Sequence, residues 1–223
     1  MNLKKSEPRP YYPIFLNLQG KKCVVVGGGA VALRKVKALL DCGAEITVIS
    51  PKPHVELSRL FENKAIQLFR RNYERGDLKD AALSIAATDV KEINRKVAEA
   101  SKKNGTLVNV VDDSESSDFI VPSSFRRGNL SVAVSTSGTS PALAKKIRAK
   151  LEKNIGMEYA CLLSLIADIR SEIKKKGLRV SAKTWEEALD LDSLLLLLKA
   201  GQSEKAKANL LGKLKPTKRQ KGP

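Results

Sequence analysis

The sequence is poor in the residues from which disulfide frameworks, metal sites and stacking surfaces are made. Among 223 residues there are three cysteines, Cys23, Cys42 and Cys161, and one histidine, His54. The cysteines are odd in number, widely spaced and form no CxxC pair. That excludes a disulfide framework and a structural zinc site, so no metal ligand set is expected and each cysteine reads as a small buried hydrophobe. His54 reads as a residue on a helix face. Only ten side chains are aromatic, too few for a base-stacking surface, so nucleic acid is not the expected partner. No run of 18 apolar residues occurs, and the opening MNLKKSEPRPYYP lacks the hydrophobic core of a signal peptide. A cytoplasmic protein with no membrane partner is expected.

Acidic residues are also scarce, 24 against 41 Lys and Arg, for a net charge of +17. Residues 199–223 contribute +7 of this, with Glu204 their single acid. A basic tail is usually a solvated end. The remaining +10 lies on the body of the chain and favours an anionic ligand: a phosphorylated cofactor, a polycarboxylate or nucleic acid.

The patterning predicts an α/β fold. Cys23–Val26 is a short β-branched strand followed by Gly27-Gly28-Gly29, and apolar positions 32, 33, 36, 39 and 40 have helical spacing. Strands at 45–49, 65–69, 83–87 and 106–111 alternate with helices at 54–62 and 91–103, and 70–80 reads as a polar loop. Such alternation argues for a parallel sheet covered on both faces. Next, 119–121 and 130–135 read as strands joined too closely for a helical crossover, hence antiparallel. Ser140-Pro141 opens a helix, and all that follows reads as helical, including the apolar stripe from Tyr159 to Ile173 and the leucines at 194–198. The expected organisation is a flexible lead-in (1–10), a Rossmann-like domain (11–113), a small α+β dimerisation region (114–150), a helical C-terminal domain (151–212) and a basic tail (213–223).

Three motifs fall at carboxyl ends of strands, where open α/β sheets bind ligands. Gly27-x-Gly29-x-x-Ala32 has the dinucleotide-loop spacing: Gly27 for the tight turn, Gly29 for close approach of a pyrophosphate, Ala32 where the helix packs on the strand. The helix start offers N–H groups to phosphates. The second strand ends Ser50-Pro51-Lys52 rather than in Asp or Glu. Ser50 suits a ribose hydroxyl and Lys52 tolerates a 2′-phosphate, so these residues leave NAD and NADP both open. Arg34 and Lys35 read as solvent-facing. Ala87-Thr88-Asp89 follows the fourth strand and Asp112-Asp113 the fifth. On position alone Asp112 is either a general base or a turn cap, and Asp113 a turn residue. Ser135-Thr136-Ser137-Gly138-Thr139-Ser140 places hydroxyls at a helix start, which suits carboxylate or phosphate.

Taken in order, YPIFLNLQGKKCVVVGGGAVALRKVKALLDCGAEITVISP, IAATD, NVVD, FIVPS and SVAVSTSGTSPALAKKIR resemble the siroheme-synthase dehydrogenase family, closely over 11–150 and loosely beyond. The resemblance implies a homodimer that oxidises precorrin-2 to sirohydrochlorin with NAD⁺, and the polycarboxylate tetrapyrrole fits the basic body. It places NAD against Gly27, Gly28, Gly29, Ala30 and Val31, the Ser50-Pro51-Lys52 turn, and Ala87-Thr88. It assigns the functional aspartate to Asp112, and substrate contacts to Asn109, Ser135, Thr136, Ser137, Thr139, Arg126 and Lys145. Arg127, Lys146 and Arg148 are further candidates for holding ring carboxylates. Thr136 and Ser137 depart from the serine-glycine pair seen in some members. Some relatives also insert Fe²⁺, which these residues leave open. With no methyltransferase segment in the chain, methylation is expected from another protein. The competing reading is an NAD(H)-sensing Rossmann module without catalysis, which explains the glycine loop but neither the strand-end aspartate nor the hydroxyl loop.

Overall fold

A computed structural model describes residues 11–214 and the backbone of 217–218, so the lead-in at 1–10 and most of the basic tail lie outside the described residues. The chain divides into two units, 11–121 with 137–139, and 122–136 with 140 onward.

The first unit contains β1 (Lys22–Val26), α1 (Ala30–Leu40), β2 (Glu45–Ile49), α2 (Val55–Glu62), β3 (Gln67–Phe69), a 3₁₀ turn (Arg75–Leu78), β4 (Leu83–Ala86), α3 (Lys91–Asn104) and β5 (Leu107–Val110). All five strands are parallel, in the order β3-β2-β1-β4-β5. The period of two along β1 divides the core. Cys23 and Val25 face Ala32, Val36 and Leu57 on one side of the sheet, while Val24 and Val26 face Leu78, Val97 and Ala98 on the other. Burial of Cys23, helped by Cys42, pushes its thiol up to about 11, so it behaves as an inert hydrophobe. Cys42 is half-buried and Cys161 exposed, so the expectation of three buried cysteines holds for Cys23 alone.

β5 is an edge strand, and edges left open invite pairing with other chains. Here the next residues return along it. The Val110 N–H donates to Ser117 Oγ at 2.9 Å and the Val108 N–H to Asp118 Oδ2 at 3.0 Å. The Asp118 N–H donates back to the Val108 carbonyl at 2.8 Å. The serine- and aspartate-rich run after β5 is therefore a strap that satisfies the strand's outer hydrogen bonds. It also overturns the strand expected at 119–121. The Phe119 carbonyl accepts from Asn109 Nδ2 at 3.0 Å and its side chain packs into the core, so these residues close the strap.

In the second unit β6 (Ser123–Arg127) pairs antiparallel with β7 (Leu130–Val134). Gly128 and Asn129 form the two-residue turn, with Gly128 at φ +55°, as the first position of a II′ hairpin requires. That Gly-Asn pair was the overlooked hairpin signal. The hairpin packs on α4 (Pro141–Asn154), whose cap Ser140 accepts from the Leu143 N–H at 3.2 Å. Four helices follow, α5 (Glu158–Lys175), α6 (Ala182–Ala188), α7 (Leu191–Lys199) and α8 (Ser203–Lys213). Two two-residue strands, β8 (Leu178–Arg179) and β9 (Thr217–Lys218), pair within this otherwise helical portion, which the sequence pattern did not suggest. Leu162, Ile169, Leu194, Leu198 and Leu210 form its core. Among the described residues no helix is long and apolar enough to cross a membrane.

Ile169 is fully buried in that helical core. Ile169→Ala should cost about 2–5 kcal/mol of stability, read as a lowered urea midpoint.

Candidate functional site

The sheet register builds the site. Val26 is paired with both Ile49 and Ala86, and Ala86 with Val110. The last residues of β2, β1, β4 and β5 thus form one row, and the loops that follow them share one edge. These loops carry Ser50–Lys52, Gly27–Gly29, Ala87–Thr88 and Asp112. Strand order reverses between β1 and β4, the point where this architecture opens a crevice.

The three glycines do different work. Gly27 has φ +132° and donates its N–H to the Ile49 carbonyl at 2.9 Å. A Cβ there would lie 2.2 Å from the Ala87 carbonyl oxygen, so only glycine lets the loops after β1 and β4 touch. On Gly28 a Cβ would lie 2.2 Å from Ser50 Oγ, so this residue rests on the turn after β2. On Gly29 a Cβ would meet nothing within 4 Å. Gly29 is also the N-cap of α1, with no side-chain capping bond and no acidic residue in the first turn. The open N–H groups of a helix start, reached through open space, fit a dinucleotide pyrophosphate. Ala30 and Val31 form that first turn.

Around this loop, Ser50 is buried and its hydroxyl accepts from the Lys52 N–H at 3.3 Å, so it shapes the turn beneath Gly28. Pro51 and Lys52 are exposed. His54 does not sit on a helix face. It is the N-cap of α2, accepting from the Glu56 N–H through Nδ1, and its own N–H donates to the Gly28 carbonyl at 2.8 Å. Thr88 is fixed by Asn94 from α3: Thr88 Oγ1 donates to Asn94 Oδ1 at 2.8 Å, and Asn94 Nδ2 to the Thr88 carbonyl at 2.9 Å. Asn94 was missed in the sequence. Its signal is a buried-face asparagine inside a helix, a residue that costs helix propensity unless it binds something.

The aspartate pair separates. Asp113 Oδ1 accepts from the N–H groups of Glu115 and Ser116 at 3.1 and 3.0 Å. The Ser116 hydroxyl and N–H hold its carboxyl below the usual carboxylate range. Asp112 is exposed, adopts φ +60°, and makes no side-chain hydrogen bond among the described residues. That backbone region is uncommon for a residue with a side chain, though aspartate tolerates it. Asn109, expected as a substrate contact, is buried with both ends of its amide engaged: Oδ1 by Lys35 Nζ at 3.3 Å and Nδ2 by Phe119. Lys35 is therefore not solvent-facing, unlike its exposed neighbour Arg34. Helical spacing contained the clue, since position 35 lies three past Ala32 and four before Leu39, along the buried stripe.

Ser135, Thr136, Arg126 and Lys145 belong to the second unit, while Ser137 and Thr139 group with the first. Thr136 Oγ1 accepts from the Ser140 N–H at 3.1 Å. Ser135, Ser137 and Thr139 are exposed, as are Arg126, Lys145 and Lys146. Arg127 donates to the Ile155 carbonyl at 3.1 Å and pairs with Glu152, and Arg148 also pairs with Glu152. Those two arginines, expected as candidates for ring carboxylates, clamp the end of α4.

Three outcomes follow from this geometry. Gly27→Ala should lose at least about 1–3 kcal/mol of stability and all nucleotide binding. Gly29→Ala should change stability by less than about 1 kcal/mol yet weaken NAD⁺ binding at least about tenfold, as read by calorimetry. Asp113 contributes stability that is fully present above the ordinary carboxylate range and is lost as pH falls through its lowered value. Asp113→Ala should therefore flatten the acid limb of thermal stability against pH.

Comparison with known proteins agrees with this geometry. Residues 14–123 match a family described as putative NAD(P)-binding, and 127–154 match the sirohaem biosynthesis protein central region. The siroheme synthase of Nitrosococcus oceani is 41% identical over 202 residues, covering 90% of this chain and 43% of that protein. That of Methylococcus capsulatus is 38% identical over 215 residues, 96% of this chain and 45% of that protein. The chain thus spans less than half the length of these relatives. The solved structure of SirC, precorrin-2 dehydrogenase, superposes with TM-score 0.74 at 28% identity, covering 91% of this chain and 100% of that one. The chain is thus similar to part of the siroheme synthases and to the whole of SirC, precorrin-2 dehydrogenase.

Proposed function

We propose that this protein oxidises precorrin-2 to sirohydrochlorin with NAD⁺, and that it works as a homodimer in the cytoplasm. The observation that carries the reading is the row of strand ends, which puts an open glycine-loop helix start and an exposed, unbonded carboxylate on one edge. The match to SirC over that protein's whole length supports it.

When bound, NAD⁺ supplies the hydride acceptor. Gly27–Val31 would hold its pyrophosphate, with the Ser50–Lys52 turn and Ala87–Thr88 on either side. Oxidation of the reduced macrocycle removes a hydride and a proton. Asp112 accepts the proton, because its carboxylate has no competing hydrogen bond and stands at the carboxyl end of β5. Ring carboxylates are held by exposed cations, for which Arg126 and Lys145 are the candidates, with the hydroxyls of Ser135, Thr136, Ser137 and Thr139 as further contacts. Exposed Leu143 and Ile147, one turn apart on α4, would be covered in the dimer. The same unbonded carboxylate suits the pyrrole protons released when Fe²⁺ enters the ring, which motivates iron insertion as a second step at this site.

Asp112→Asn keeps a residue that tolerates positive φ while removing the base. It should cut NADH formation from precorrin-2 at least about tenfold with NAD⁺ affinity unchanged. Turnover close to wild type would contradict the assignment. Replacing NAD⁺ with NADP⁺ should slow the wild-type reaction, and added Fe²⁺ should convert the sirohydrochlorin spectrum to that of siroheme.

A further inference from the structure

Thr88 stands just past the end of a hydrogen-bonded ladder. The Ala87 N–H still donates to the Val26 carbonyl at 2.8 Å. β1 then turns away at Gly27, and the Thr88 backbone has no backbone partner among the described residues. Peptide groups left unpaired in a half-buried loop are costly. One side chain supplies what the strand does not. Asn94 Oδ1 accepts from the Thr88 N–H at 3.2 Å and from the Thr88 hydroxyl at 2.8 Å, while Asn94 Nδ2 donates to the Thr88 carbonyl at 2.9 Å. The Thr88 hydroxyl oxygen in turn accepts from the Val90 N–H at 3.2 Å, where α3 begins. The helix that carries Asn94 is itself fixed. Val97 and Ala98 lie in the core, and two turns on from Asn94 the buried Ser101 hydroxyl meets that of Ser84, at the start of β4, at 2.8 Å.

We propose that Asn94 is a positioning residue for the dinucleotide: by bonding the N–H, carbonyl and hydroxyl of Thr88, it holds the Ala87–Thr88 loop against Gly27 before the cofactor arrives, and so sets NAD⁺ affinity. This inference rests on the nucleotide-binding reading above. The Ala87 carbonyl, one residue before the clamp, is the group that only glycine at position 27 admits. A loop free at Thr88 would let that carbonyl shift and move one wall of the crevice. Thr88 itself has no donor left, because its N–H and its hydroxyl proton both go to Asn94. It therefore meets the dinucleotide as a fixed surface rather than as a hydrogen-bond donor. The contribution of Asn94 is preorganisation: a loop already ordered need not be ordered on binding, and that saving appears as affinity. Asparagine inside a helix costs propensity, and three bonds to one residue of the crevice loop account for its presence there.

The test compares wild type, Asn94→Ala, Asn94→Asp and Ser101→Ala for NAD⁺ affinity by calorimetry, for NADH formation from precorrin-2, and for thermal midpoint. Asn94→Ala should raise the NAD⁺ dissociation constant about tenfold, the scale of ordering one or two side chains on binding. In steady state the KM for NAD⁺ should rise by a larger factor than kcat falls, the signature of lost cofactor binding. Asn94→Asp keeps the acceptor but loses the donor to the Thr88 carbonyl. It should weaken NAD⁺ in the same direction, and it stands in should alanine prevent folding. Ser101→Ala removes a buried hydrogen bond from the same helix, away from the crevice loop. It should lower the thermal midpoint while leaving NAD⁺ affinity within about twofold of wild type. Unchanged NAD⁺ affinity in folded Asn94→Ala or Asn94→Asp overturns the inference. So does an equal loss of affinity in Ser101→Ala, which would make the effect a general loosening of α3. Folded wild type that binds no NAD⁺ defeats the nucleotide-binding reading itself, so the two failures are distinct.

Discussion

The site depends on the contact between the backbones of Gly27 and Ala87. With no Cβ between them, the loops after β1 and β4 close on each other at the point where strand order reverses. The rest is arranged from there. Gly28 can lie on the Ser50 turn because Gly27 has already bent the chain. Gly29 is then left facing open space over the start of α1. A side chain at the first position would push the loops apart, and the shared edge with its uncapped helix would be lost. The chain gives up glycine's conformational entropy three times in succession for a surface that a dinucleotide can approach.

The second organising feature is the treatment of an edge. β5 ends the sheet, and the serines and aspartates after it satisfy its outer N–H groups. The same strap turns Asp112 into left-handed backbone and leaves its carboxylate unbonded. The polar run that looks out of place after an apolar strand therefore does two things: it protects the edge and it exposes a carboxylate at the strand end. Lys35 and Asn109 tie the construction to the helix that begins at the glycine loop.

The first hundred residues were legible because each strand and helix there has an unambiguous period, and the glycine loop marks one junction. Three of the strand ends, those of β1, β4 and β5, could be placed on one edge from the alternation alone. What was not legible depends on contacts distant in sequence. Lys35 looks like one of many surface cations until Asn109, 74 residues later, comes beside it. Asn109 carries the same ambiguity, since a polar residue at a strand end looks like a ligand contact until both ends of its amide are seen engaged. Arg127 and Arg148 looked like free cations and are held by Glu152. The hairpin was misplaced for a local reason: Phe119–Val121 is more β-like than Ser123–Arg127, but the Gly128-Asn129 turn and the demands of the strap decide where pairing begins.

The central claim is that one edge of this sheet binds NAD⁺ and directs hydride to it from a tetrapyrrole. The direct measurement is anaerobic mixing of the protein with precorrin-2 and NAD⁺, following NADH and sirohydrochlorin by absorbance. The account predicts that both appear together in equal molar amounts. NAD⁺ binding by folded protein without formation of either product would contradict it, and would leave a nucleotide-sensing module in its place.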